Sequence, residues 1–280
     1  MARNPLTYLR HDSGGGYLSL DLPIGRAVHE TDAGILDEPI LWISDTRPDA
    51  GLWGSLQASH ARTGLWPLLL GGSSHEPGSP WTTGELFPGL IKSRPGDHDA
   101  AVLLAGWWSV YTTADDDDDM LSAPERLAIT APFGDQWPGL AHAGTVQEDA
   151  AVRAAAFAEH LMADSWLTAP RLGLSASARG ADAPADLGWG GPMNYENDTA
   201  LFSTVLRSWE ERFGARVVAL GPAELYLSVG APPTDTDHAL RVAAEHFAFC
   251  PDNVWRSSTD SLVLYADSLV NRAWWSFWWD

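Results

Sequence analysis

The segment Trp274-Trp275-Ser276-Phe277-Trp278-Trp279-Asp280 puts five aromatic rings into seven positions at the end of the sequence. Read with a period of two, Trp275, Phe277 and Trp279 share one face, and Trp274, Ser276 and Trp278 share the other. That pattern predicts a strand with both faces covered, by the protein itself or by a partner. Each ring buries roughly 150–250 Å², more apolar surface than a frayed tail can hold. The chain is therefore expected to fold around this strand, and the fifteen tryptophans of the sequence either pack an aromatic core or line surfaces that bind something.

Residues 1–140 read as a strand-rich region. Short apolar runs (Tyr17–Leu20, Ile40–Ile43, Leu65–Leu70 and Ala101–Tyr111) are separated by turn formers such as Gly14-Gly15-Gly16 and Arg94-Pro95-Gly96-Asp97. A connecting helix is expected over 141–169, opened by a Thr145/Glu148 capping box and closed before Pro170. Residues 170–280 read as a separate module: a strand at Arg171–Ala178, a short helix at Ala181–Leu187, a helix capped by Asp198 and stopped by Gly214, and an antiparallel pair across Gly221-Pro222. Helices at about 235–249 and 258–270 precede the aromatic strand. This order implies an α+β fold with helices packed on a mainly antiparallel sheet.

Thirty-seven acids against 17 bases give a net charge of −20, shared by both halves of the chain. Such a field repels phosphate backbones, so no nucleic-acid partner is expected; a basic protein is. The acidity also serves to keep a Trp-rich chain in solution. No apolar run approaches the roughly 20 residues of a membrane span, no signal-peptide pattern opens the chain, and the single cysteine, Cys250, excludes an internal disulfide. The expected compartment is the cytoplasm.

The segments Arg207–Gly214, Ala243–Asn253 and Trp275–Asp280 together resemble an actinobacterial domain-of-unknown-function family whose C-terminal module ends in Phe-Trp-Trp-Asp. The resemblance covers roughly residues 170–280. It implies kinship without an activity and brings no catalytic residue with it. Members often carry Gln-Gly after the tryptophan matched by Trp255, where this chain has Arg256-Ser257. The N-terminal half, with Gly64-Leu65-Trp66-Pro67, looks like the region that often precedes the module.

Chemistry-bearing residues are densest at Glu245-His246-Phe247-Ala248-Phe249-Cys250-Pro251-Asp252-Asn253. A His and a Cys four apart on a helix can face the same way, so His246, Asp252 and Asn253 are the candidate catalytic residues, grouped with Cys250 as a nucleophile arrangement. Against this, Leu240, Ala243, Phe247 and Cys250 form an apolar stripe that makes the thiol a small buried hydrophobe. Arg241 and Glu245 are expected to pair at the surface, as are Arg207, Glu210, Glu211 and Arg212. A Gly-rich loop from Trp189 to Asn194, with Tyr195 beside it, either offers an aromatic shelf and amide donors to a ligand or uses its tryptophan to plug the core. Trp189, Asn194, Tyr195 and Trp255 are the candidate ligand or partner contacts. Asp97-His98-Asp99, His75-Glu76 and the Asp115–Asp119 run lack the geometry of a metal site, so no metal and no cofactor are expected. Zincin, zinc-ribbon, Walker and nucleophile-elbow motifs are missing. The leading expectation is an acidic partner or immunity-type protein without catalysis; the alternative is a hydrolase or tailoring enzyme with an aromatic-lined pocket.

Overall fold

The computed structural model describes residues 4–73, 78–113, 121–164, 166–256 and 260–279. His75-Glu76, Asp115–Asp119, Ser257 and Asp280 lie outside them. The elements run α1 (Leu6–Leu9), β1 (Gly25–Val28), β2 (Glu30–Thr31), β3 (Gly34–Ile35), β4 (Leu41–Ser44), α2 (Leu52–Thr63), β5 (Trp66–Leu70), α3 (Ala100–Thr113), α4 (Ala123–Ile129) and α5 (Ala150–Ala163). The second half continues with β6 (Arg171–Ser175), α6 (Ala183–Leu187), α7 (Thr199–Phe213), β7 (Arg216–Leu220), β8 (Glu224–Ser228), α8 (Thr236–Phe249), α9 (Asp252–Trp255), α10 (Leu262–Leu269) and β9 (Trp274–Trp278).

The protein is α+β, with a seven-stranded sheet in the order β1-β4-β6-β5-β7-β8-β9 and a small β2–β3 hairpin beside it. Every neighbouring pair of the large sheet is antiparallel except β5 and β7, which run parallel with Leu69 beside Ala219. Five of the nine strands among the described residues belong to the N-terminal half. The two halves interleave, because β6 pairs with β4 on one side and β5 on the other.

Helices cover both faces. On one face Phe157 of α5 stacks on Trp274 at 6.0 Å. On the other, Trp209 of α7 lies parallel to Phe277 at 5.3 Å, and His246 of α8 meets Trp275 edge-on at 4.5 Å. Trp42, Trp53, Trp81, Trp108, Trp189, Trp209 and Trp275 are all fully buried, so the tryptophan excess largely fills the interior.

Three local expectations change. Ala101–Tyr111 lies within α3 and is not a strand. The run is apolar all round, so no period separates strand from helix, and the Asp99 carboxylate decides the matter by accepting from the N–H groups of Ala101 and Val102. Tyr17–Leu20 is a tight turn, with Asp12 accepting from Tyr17 N–H at 2.7 Å and Gly15 at φ +79°. The α5 helix starts four residues later than the Thr145 box suggests. Asp149 caps it through Ala151 and Val152, while the Gln147 and Glu148 N–H groups bond to Gly230 O.

The aromatic strand forms as expected, but at a sheet edge. Trp275 is 1% exposed, and Phe277 and Trp279 are buried with it. The other face is covered only in part: Trp274 is half-buried under α5, and Trp278 is 37% exposed. Truncating one buried indole removes both its transfer free energy and its packing partners. Trp275→Ala should therefore cost about 3–5 kcal/mol in urea unfolding, and deletion of the last six residues should abolish the cooperative melt. A truncated chain that stays soluble and melts cooperatively would refute this role for β9.

Candidate functional site

Helix α8 ends at Phe249 and the chain turns through Cys250-Pro251 into α9. This turn lies against the outer edge of β9. The Cys250 thiol donates to the Trp278 carbonyl at 2.9 Å, and Asn253 Nδ2 donates to the Ser276 carbonyl at 2.7 Å. Two carbonyls that an edge strand would otherwise expose are thereby satisfied. Asn253 Nδ2 also donates to Tyr265 Oη at 3.1 Å, and Tyr265 Oη lies 3.0 Å from His246 Nδ1.

Asp252, fully buried, points the other way. Its Oδ2 accepts from Tyr195 Oη at 2.9 Å and its Oδ1 from Trp255 Nε1 at 3.0 Å, while Arg256 Nε pairs with Oδ1 at 3.1 Å. Tyr111 packs edge-on to both Tyr195 and Trp255, at 5.9 and 5.8 Å, and Arg126 sits over the Trp255 ring at 5.2 Å. Burial, with the Asp252 charge next, raises the Tyr195 phenol above its usual range; burial, followed by Cys250 and Asp252, does the same for Tyr111.

His246, Cys250 and Asp252 are thus neighbours in sequence with three separate destinations. The His246 imidazole contacts Tyr265 and not the thiol. Burial, then the Arg212 charge, holds it well below its ordinary pKa and therefore neutral. Burial drives the Cys250 thiol up, away from thiolate. The nucleophile arrangement does not assemble. Trp189, singled out as a surface contact, is interior: its Nε1 donates to Gly221 O at 2.9 Å and its ring meets Trp279 at 5.6 Å. The glycines around it serve that packing, since a Cβ on Gly191 would fall 1.9 Å from the indole. Asn194 is exposed, and Tyr195 and Trp255 are half-buried.

Glu245 corrects a second expectation. It faces the interior and does not pair with Arg241, whose guanidinium donates to Pro138 O at 2.6 Å. The Glu245 carboxylate instead accepts from both Arg212 Nη atoms at 2.7 and 2.6 Å, from Trp209 Nε1 at 2.7 Å and from Ala141 N–H at 2.7 Å. Arg212 therefore also points inward. Arg207 forks onto Asp182 at 2.6 and 2.9 Å, and Glu210 and Glu211 pair with Arg179. Asp97 and Asp99 are spent on backbone N–H groups of their own turn and helix, and no group of three metal-ligating side chains occurs among the described residues.

A cleft of about 310 Å³ lies among Asn4, Glu38, Ser175 and Asp186. Asp186, not singled out from the sequence, is an exposed residue at this cleft, yet the protein around its carboxyl displaces enough water to push it up to about 6, with Asp182 adding to the effect and Ser177 and Arg207 opposing it. A raised carboxyl pKa favours the fold while the group is protonated, and that contribution fades as pH rises through 6. Asp186→Asn should therefore melt higher than the wild type at pH 7, with the difference vanishing by pH 4 in a thermal-melt series. For the interior pair, removing one partner strands a buried charge. Glu245→Ala and Arg212→Met should each cost about 3–5 kcal/mol in urea unfolding, and the double variant clearly less than their sum.

Residues 171–280 match the protein-family signature described as Domain of unknown function (DUF4253). No curated protein and no solved structure matches the chain.

Proposed function

We propose that this chain is an acidic protein-binding protein of partner or immunity type, acting in the cytoplasm on a basic protein surface. The observation that carries the reading is an aromatic shelf on the half-covered face of β8 and β9. Trp166, 38% exposed, meets Trp274 edge-on at 4.7 Å and lies 6.4 Å from Tyr226, while the Arg272 guanidinium covers Trp274 at 4.4 Å. Trp278 continues the same face by alternation, opposite Glu224. Tryptophan, tyrosine and arginine dominate binding energy at protein interfaces. A net charge of −20 supplies steering towards a cationic partner and repels nucleic acid.

The chemistry-bearing residues of α8 and α9 support the same reading. Asp252 has both carboxylate oxygens engaged, Glu245 accepts four hydrogen bonds, and Cys250 holds a strand edge, so each is placed to keep structure. Among the described residues no helix is long and apolar enough to cross a membrane.

The test is capture from the native cell lysate by immobilised protein at low and high salt, beside a Trp166→Ala variant. A basic protein retained at low salt, released at high salt, and lost in a variant whose melting temperature is unchanged is the expected result. Retention of nothing at low salt, or equal retention by the variant, contradicts it.

A further inference from the structure

A cleft of about 140 Å³ runs along the outer edge of β9, bounded by Asn253, Tyr265, Arg272, Ser276 and Trp278. Tyr265 lines it, and the proton count at its hydroxyl is constrained. The Ser276 carbonyl can only accept, so the nitrogen of the Asn253 amide must face it. The second hydrogen on that nitrogen then goes to Tyr265 Oη.

His246 fixes the other lone pair. Its Nε2 is buried without a hydrogen-bond partner, in a box made by Trp209, Trp275 and Phe277. With the proton on Nδ1, the tautomer that leaves no N–H at that unpartnered nitrogen, the ring donates to Tyr265 Oη at 3.0 Å. In that tautomer both lone pairs of Tyr265 Oη are filled, which frees its O–H to turn into the cleft.

Two further donors converge there. Arg272 lines the cleft and, among the described residues, meets no carboxylate; its charge lies close enough to Tyr265 to oppose the upward push of burial on the phenol. Ser276 turns its carbonyl away from β8, and the alternation of an antiparallel ladder turns its N–H the same way. The Ser276 carbonyl that shares this edge is covered by the Asn253 amide, which leaves Arg272, the Tyr265 O–H and the Ser276 N–H as the donors of the cleft, in a chain of net charge −20.

We infer that this cleft is a carboxylate-binding site, in which Arg272 supplies the charge, Tyr265 O–H donates a hydrogen bond, and Trp278 walls the apolar part of the ligand. Clefts for drug-sized ligands measure about 300–1,000 Å³, so the occupant is a small free carboxylate or the carboxylate end of a peptide. The inference does not rest on the protein-binding reading, and its test uses no partner protein.

The probe is sodium acetate, titrated into the ¹⁵N-labelled full chain at constant ionic strength with chloride as the reference, and followed by the indole N–H and arginine Nε–H signals. Acetate should shift the Trp278 and Arg272 signals saturably. Arg272→Gln should weaken the binding at least tenfold with an unchanged melting temperature. Tyr265→Phe, checked for the same melt, should weaken it severalfold. A tripeptide with a free terminus is then compared with its C-terminal amide. Free-acid binding well above acetate assigns the site to a peptide end, and binding equal to acetate assigns it to small carboxylates. A non-saturating acetate response, the same response in Arg272→Gln, or an amide that binds as well as the acid overturns the proposal.

Discussion

An edge strand presents a row of unpaired backbone groups to water, and β9 is such a strand although its inner face carries Trp275, Phe277 and Trp279. The interaction that lets it hold that position is the pair of side-chain bonds from the α8–α9 turn: Cys250 Sγ to the Trp278 carbonyl and Asn253 Nδ2 to the Ser276 carbonyl. These fix the strand to a helix it does not pair with and leave no free edge at those two carbonyls for another chain to extend. Once β9 is fixed, its indoles give α7 and α8 a surface to pack on. The Cys-Pro-Asp-Asn turn and the aromatic strand are in this sense one structural device, written in two places about 25 residues apart.

The second constraint is the Glu245–Arg212 pair. Taking both charges out of water is costly, and mutual attraction offsets that cost only with further hydrogen bonds. Here they are present: Trp209 and Ala141 complete the carboxylate, and Ala141 O and Ser208 Oγ complete the guanidinium. The pair ties α7 to α8 and draws the segment before α5 against both. It also explains why His246, next in sequence, stays neutral: the nearby Arg212 charge adds to desolvation in disfavouring the imidazolium.

The order of strands and helices after residue 170 was legible because each element carries its own period and its own stop, such as Asp198 before α7 and Gly214 after it. The burial of Cys250 was legible for the same reason, through the stripe it shares with Phe247. What lay beyond reading was whatever depends on separation in space. Glu245 sits 33 residues from Arg212 and Asp252 sits 57 from Tyr195, so helical spacing pointed to the wrong partner, Arg241, and to a triad that does not form. The α3 segment failed differently, since a run apolar on all sides has no amphipathic signal. Tyr265 and Arg272 were not candidate site residues because neither belongs to a motif; their meaning comes from sharing the edge of β9.

The topology also bears on what the matched region means. Residues 171–280 contribute β6, β7, β8 and β9, yet β6 is not beside β7 in the sheet. Trp66–Leu70 of β5 lies between them, antiparallel to one and parallel to the other. Without that strand the ladder partners of Arg171–Ser175 and Arg216–Leu220 would be missing on their facing sides, and buried backbone groups would go unpaired. The N-terminal half therefore supplies a structural member of the sheet in which the module is built. Its apolar run after Gly64 is buried at every position from Leu65 to Leu70, as a strand enclosed by neighbours on both sides and by helices on both faces must be.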